Sequence, residues 1–280
     1  MKKIRSFIIV FGLLLFSAGI KSQHITVGTF NLRYDNANDT GNLWKDRLPV
    51  VSSLIRFHAF DIVGTQEGLK NQLADLSASL PGFAYYGVGR DDARSGGEHS
   101  AIFYKTDKYS LIGSGDFWLS ETPEKPGFGW DARNNRICSW IQLKEKNTGN
   151  VFFVFNVHYD HRGVAARIES SKLIMTRIQV IAGKHPVILT GDFNGNHQSE
   201  WYRYIQGSGL LKDALTMATD PYINNGSFNS FKTNNPAKDI IDHIFLSEQF
   251  RVIRFGILTD TYHGKFPSDH YPVLAEAELR

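Results

Sequence analysis

The feature that most constrains this chain is a pattern repeated along it. Short apolar runs stop abruptly in residues able to hold a cation or carry a proton. Val27-Gly-Thr-Phe-Asn31 stops at Asn31, and Asp61-Ile-Val-Gly-Thr-Gln-Glu67 stops at Glu67. Val154-Phe-Asn-Val-His158 stops at His158, and Val187-Ile-Leu-Thr-Gly-Asp-Phe-Asn194 closes on Asp192 and Asn194. Ser268-Asp269-His270 introduces the last apolar run, and Asp242 sits inside Ile240–Leu246, which is otherwise apolar enough to be buried. Runs rich in Val, Ile and Phe suit β-strands. A carboxylate among them is costly unless it is paired or metal-bound. If the run ends converge, they make a site rich in oxygen donors and poor in sulfur, which favours Mg²⁺, Mn²⁺ or Ca²⁺ over zinc. His158-Tyr-Asp-His161 offers two histidines but lacks the further ligand that a zinc site needs.

Strand-like runs cover Ile25–Leu32, Asp61–Gln66, Ser100–Tyr104, Tyr109–Trp118, Ile137–Leu143, Val151–Val157, Pro186–Thr190, Ile240–Leu246, Val252–Leu258 and Tyr271–Ala277. Helical spacing appears in Trp44–Phe57, where His58 extends the apolar stripe, and in Gly68–Leu80, Val164–Ala182 and Ser199–Gln206. Strands outnumber helices and the two are interspersed, so a mixed α/β domain with sheets inside and helices outside is expected. Polar stretches at 89–99, 119–135, 219–239 and 260–270 are candidate substrate loops. Neither a phosphate-binding glycine loop of the Walker type nor a G-x-S-x-G nucleophile turn occurs. Cys138 is the only cysteine, so no intramolecular disulfide forms, and its apolar surroundings read as core.

The first residues read differently. Lys2, Lys3 and Arg5 precede an apolar and small-residue run of 14, Phe7–Ile20. That is short for a membrane span, which needs about 20 residues, and fits a secretory signal peptide over residues 1–22 followed by one domain over 23–280. The expected location is periplasmic or secreted. Without a cysteine near the cut, lipid attachment there is excluded. Residues 1–22 hold four basic side chains and no acidic one, so of the 31 basic and 28 acidic groups, 27 and 28 remain after export. The formal charge of +3 thus becomes −1. A near-neutral chain lacks the positive footprint that duplex DNA binding normally needs.

Taken in order, Thr29-Phe-Asn31, Gln66-Glu67, Asn156-Val-His158, Gly191-Asp-Phe-Asn194, Asp242 and Ser268-Asp-His270 resemble the motifs of the endonuclease/exonuclease/phosphatase superfamily. That group includes type I deoxyribonucleases, abasic-site endonucleases, inositol-polyphosphate 5-phosphatases, neutral sphingomyelinases and deadenylase-like phosphodiesterases, and the motif loops look most like the last branch. The resemblance spans residues 25–280 and implies a four-layer α/β sandwich, two mixed β-sheets face to face with helices outside. It further implies Mg²⁺ held by Glu67 with Asn31 and Asp269, Asp192 orienting or deprotonating the attacking water, and Asn194, His158 and His270 donating to the phosphoryl oxygens. Asp242 would bond His270 and fix its charged form. Either Asp192 or His270 serves as the base, and one or two metal ions are compatible with the match. In a second tier, Arg133, Arg136 and Arg167 lie beside the motif loops as candidate phosphate binders, and Trp130 as a stacking surface.

One centre serves many phosphoesters in such folds, so the substrate stays broad: a small molecule, a single-stranded nucleic acid or a lipid headgroup. The leading expectation is an exported metal-dependent phosphohydrolase acting as a monomer without an obligate protein partner. A secreted nuclease or sphingomyelinase-type lipase is the alternative. A catalytically silent binding module is disfavoured by the intact set of motif residues.

Overall fold

The computed structural model describes residues 23–235 and 238–280, so the signal peptide expected over 1–22 lies outside the described residues. Two sheets dominate. The first has seven strands in the order β10 (Asp220–Tyr222), β12 (Phe250–Ile257), β13 (Val273–Leu279), β1 (Gln23–Asn31), β2 (Ile62–Gln66), β4 (Ile102–Lys105) and β3 (Phe83–Tyr86). The second has six, in the order β5 (Tyr109–Trp118), β6 (Ile137–Glu145), β7 (Val151–His158), β8 (Val187–Asp192), β11 (Asp242–Leu246) and β9 (Lys212–Asp213). Both are mixed: β1–β2, β10–β12 and β7–β8 run parallel and the other pairs antiparallel.

Alternation along the strands builds three apolar layers. In β7, Phe152 and Val154 point into the space between the sheets, with Ile25, Val27, Ile141, Ile188 and Ile244. Phe153, Phe155 and Val157 point outward against Ile174 and Ile178 of α3 (Val164–Ala182) and Ile205 of α4 (Glu200–Gln206). On the other outer face, Phe30, Val63 and Phe103 meet Leu54 and Ile55 of α1 (Trp44–Phe57) and Leu73 and Leu76 of α2 (Lys70–Ser79). Strands covered on both faces read as continuous apolar runs, which is why the sequence displays them so plainly. The result is the four-layer α/β sandwich.

The sequence reading omits four elements: β3, β9, β10 and the one-turn helix α5 (Ala214–Met217). Each of the strands lies at a sheet edge, and β10 is fully exposed and contains Pro221. Such edges bury too little to carry an alternation signal. α2 begins at Lys70 rather than Gly68, because Gly68 pairs with His99 in an isolated bridge. His58 does not extend the apolar face of α1: it caps the helix, and its Nε2 lies 3.2 Å from Asp260 Oδ2. Cys138 is fully buried, and burial pushes its thiol well up.

Beneath the edge where the motif residues lie, the sheets are joined by a buried polar network. Gln66 Nε2 donates to Thr29 Oγ1 (3.0 Å) and Asn156 Oδ1 (2.7 Å), which also accepts from Thr190 Oγ1 at 3.0 Å. Asn156 Nδ2 donates back to the carbonyls of Thr65 and Ala101. Gly64 faces this network, and a Cβ there would collide with Thr190 Oγ1 and Asn156 Oδ1.

Candidate active site

Strand direction explains the convergence that the sequence suggests. β1 and β2 are parallel and in register at Asn31 and Gln66, so both end at one edge, where Glu67 follows. β7 and β8 are likewise parallel, with His158 beside Asp192. β11 runs antiparallel to β8 and begins there, which sets Asp242 opposite Asp192. His270 stands just before the start of β13, itself antiparallel to β1. Four strands therefore end, and two begin, around one cavity of about 550 Å³. A larger cleft of about 830 Å³, lined by residues such as Thr216, Leu246 and Arg251, has one acidic side chain, Glu248, and no histidine.

Glu67, His158, Asp192, Asn194, Asp269 and His270 line the cavity directly. Asn31 lies below them, and its amide nitrogen donates to Glu67 Oε1 (3.1 Å) and Asp192 Oδ2 (3.0 Å). Its oxygen accepts from the Arg33 backbone N–H at 3.0 Å, so Asn31 also ties the two carboxylates to the turn after β1. The other Glu67 oxygen accepts from the Tyr34 backbone at 3.1 Å. Glu67 and Asn194 both hold left-handed backbone conformations, with φ of 62° and 46°. Such strain in non-glycine residues clusters at functional sites. Asn194 is fixed twice: its N–H donates to Asp192 Oδ1 (2.9 Å), and its amide nitrogen donates to the Tyr159 carbonyl (3.0 Å).

The two histidines are prepared oppositely. His270 Nδ1 lies 2.9 Å from Asp242 Oδ2, while its Nε2 lies 3.8 Å from Asp192 Oδ2. Burial alone would favour neutral imidazole, but Asp242, Asp192 and Asp269 together push His270 well above the ordinary histidine range. His158 is driven well below that range by burial and by the charges of Arg136 and Arg90, and its buried Nδ1 has no hydrogen-bond partner. Asp192 is pushed up to about 7 by burial and by the charge of Asp242. Asp269 is pushed up by burial, with Glu67 adding to the effect.

Of the second tier, Arg136 lines the cavity. It is almost fully buried, and its Nη1 has no partner. Arg133 is exposed outside the cavity lining, and its backbone N–H donates to Asp160. Arg167 also lies away from the cavity lining: it donates to the Asp160 carbonyl at 2.9 Å and stacks on Trp201. Trp130 is half-buried, with its backbone N–H donating to the Glu121 carboxylate, and does not line the cavity. The helix start and loop positions that drew attention to these three are used to hold the loops.

Several lining residues were absent from the sequence-derived set. Arg90 and Glu98, an ion pair from the 89–99 loop, form one wall, and Tyr34, His161 and Phe228 complete the rim. Asp160 organises the loops beneath: its carboxylate accepts from the backbone N–H groups of Arg133, Asn134, Arg162 and Gly163. Arg47 is fully buried and donates to the carbonyls of Leu32, Arg33, Asn42 and Pro267, holding the Arg33 and Asp269 loops together. Its only sequence signal was a charge on an amphipathic helix, which normally means a solvated face.

Besides Glu98, which pairs with Arg90, three carboxylates (Glu67, Asp192 and Asp269) thus face one cavity, with Arg33 Nε no closer than 3.9 Å to Asp269 and no lysine in the lining. Burial, reinforced by neighbouring negative charge, pushes Asp192 and Asp269 up; a divalent cation would neutralise that charge, and the donors are the oxygens such hard ions prefer. Asp192, Asp242 and His270 also form a compact potential ligand group, with donor atoms within 4.8 Å of one another.

The model of the Endonuclease/Exonuclease/phosphatase family matches residues 28–270. The chain belongs to that family. An endonuclease/exonuclease/phosphatase family protein from Bacteroides thetaiotaomicron is 45% identical, with a TM-score of 0.91 over 93% of this chain and 99% of that one. A mannosyl-6-phosphatase from the same organism is also 45% identical, with a TM-score of 0.89 over 90% of this chain and 99% of that one. The human nocturnin catalytic domain with bound sulfate shares the fold, at 18% identity and a TM-score of 0.69 over 93% of this chain and 97% of that one. Endonuclease/exonuclease/phosphatase proteins are divalent-metal-dependent phosphoester hydrolases, and the cavity described above has the donor set for that chemistry.

Proposed function

We propose that this protein is an exported, Mg²⁺-dependent phosphatase whose substrate is a small phosphate ester, a phosphorylated sugar foremost. The observation that carries the chemistry is the meeting of Glu67, Asp192, Asp269, His158 and His270 at one cavity. Arg90 and Arg136 in the cavity wall offer positive charge to a phosphate group. The sugar is suggested by the mannosyl-6-phosphatase, whose likeness covers nearly the whole of both chains.

Glu67 and Asp269 would hold the ion, with Asn31 aligning Glu67. Bound there, the cation would neutralise and polarise the phosphoryl oxygens. His270, kept charged by Asp242, donates from Nε2 to a phosphoryl oxygen. Arg136 has an unpaired Nη1 to offer the same group. His158, held neutral, adds one N–H. Asp192, poised near neutrality, takes the proton of the attacking water, and Asn194 fixes the carboxylate of Asp192 through its own N–H. The rim aromatics Tyr34 and Phe228 give the nuclease reading its one structural argument, a stacking surface for a base. A panel of mannose 6-phosphate, other sugar phosphates, bis-p-nitrophenyl phosphate, single-stranded DNA and RNA, assayed with Mg²⁺ and with EDTA, tests the proposal. Preference for a nucleic acid over every sugar phosphate would overturn the substrate assignment.

A further inference from the structure

We propose that His197, Asp213 and His243 form a second metal site, outside the catalytic cavity, for a borderline transition ion such as Zn²⁺. His243 neighbours Asp242 on β11 but points to the opposite face, against Phe193, Tyr202 and Phe245. Its Nδ1 lies 3.0 Å from Asp213 Oδ2, and its Nε2 lies 2.9 Å from the Gly195 carbonyl. Both partners are acceptors, yet a neutral imidazole carries only one N–H. A cation on Nδ1 closes that proton count. Nε2–H then serves Gly195, as the outer nitrogen of a metal-bound histidine usually serves a carbonyl.

His197 supplies an independent observation. Its Nε2 is buried without a hydrogen-bond partner and lies 3.6 Å from the same Asp213 oxygen. Donor separations of 3.0 and 3.6 Å straddle the roughly 3.3 Å edge of a tetrahedron whose bonds are about 2.0–2.1 Å long. The support around the cluster is in place. Asp213 Oδ1 accepts from the Leu215 N–H at 2.8 Å, and Oδ2 accepts from the Tyr202 hydroxyl at 3.0 Å. His197 also lines a surface cleft of about 140 Å³, which provides an entry path and room for water as a fourth ligand. Two imidazoles and one carboxylate suit zinc better than Mg²⁺, so the two sites would select different ions. The ion would tie the loop after Asn194, the β9–α5 corner and β11 together.

The test is equilibrium dialysis of the purified protein against Zn²⁺ with Mg²⁺ in large excess. Wild type and Glu67→Gln are each expected to retain one zinc per chain. His197→Ala and His243→Gln should bind about tenfold more weakly or worse. His197 is part-exposed, so its variant keeps the fold if His243→Gln does not, which circular dichroism checks. Cobalt in place of zinc should give the visible absorption of a four-coordinate ion in wild type and not in His197→Ala. No zinc on wild type would overturn the proposal. Equal zinc on His197→Ala, or its loss in Glu67→Gln, would overturn it too.

Discussion

Asp242→Asn isolates the contribution of a single buried charge. Asp242 is fully buried, and its Oδ2 lies 2.9 Å from His270 Nδ1. The substitution keeps shape and removes the charge. His270 then loses the largest of the interactions that oppose its burial, and its pKa falls. A smaller fraction of the ring is then protonated at a given pH, and the charged donor to the phosphoryl oxygen weakens. Loss of one such donor typically costs about 2.7–4 kcal/mol in the transition state, which is about 10²–10³-fold in kcat. The pH profile carries the sharper signature. Asp192 must be ionised, so activity rises through a pKa of about 7 in wild type. His270 must be protonated, so activity falls at higher pH. Asp242 raises both values, and its removal should therefore move both limbs of the bell to lower pH. Steady-state kinetics of sugar-phosphate hydrolysis across pH 5–10 would read this. An unchanged kcat, or a loss of rate with both limbs unmoved, would refute the roles given to Asp242 and His270.

Other expectations concern the ligands and the scaffold. Glu67→Gln, Asp192→Asn and His270→Ala should each lower kcat by at least about 10²-fold while thermal melts show folded protein. Asp160→Ala leaves four backbone N–H groups without their acceptor and should destabilise the protein by about 3 kcal/mol or more in urea titrations. Gly64→Ala forces a methyl against Thr190 and Asn156 and should cost about 1–3 kcal/mol or more. Asp213 is buried, which would raise its pKa, but His197 and His243 beside it hold it below the ordinary carboxylate value. Its contribution to stability is therefore present above about pH 4 and lost as the pH falls toward its folded pKa. Acid titration of unfolding free energy should be flatter in Asp213→Asn.

The parts of the fold legible in the sequence were those buried on two sides. β7 and β8 announce themselves because both of their faces meet apolar layers, and α3 because its buried stripe recurs every three to four residues. The motif residues were legible for a related reason: a polar residue at the end of an apolar strand stands out. Arg90, Glu98, Tyr34 and Phe228 could not be found that way, since they come from loops whose course depends on distant contacts. Arg167 and Trp130 show the converse. Their positions resemble those of substrate contacts, but Arg167 packs on Trp201 and Trp130 hangs on Glu121. Arg47 is the clearest case, because only the folded chain shows that four carbonyls converge on its guanidinium.

In the proposed function, the carboxylates of this cavity hold a divalent cation that serves phosphate-ester hydrolysis. Hydrolysis of mannose 6-phosphate by wild type and Glu67→Gln, each assayed with Mg²⁺, with EDTA and after Mg²⁺ is restored, tests it most directly. Wild-type turnover should be abolished by EDTA and recovered by Mg²⁺, and Glu67→Gln should turn over little in any condition. Turnover indifferent to EDTA, or wild-type rates in Glu67→Gln, would contradict it.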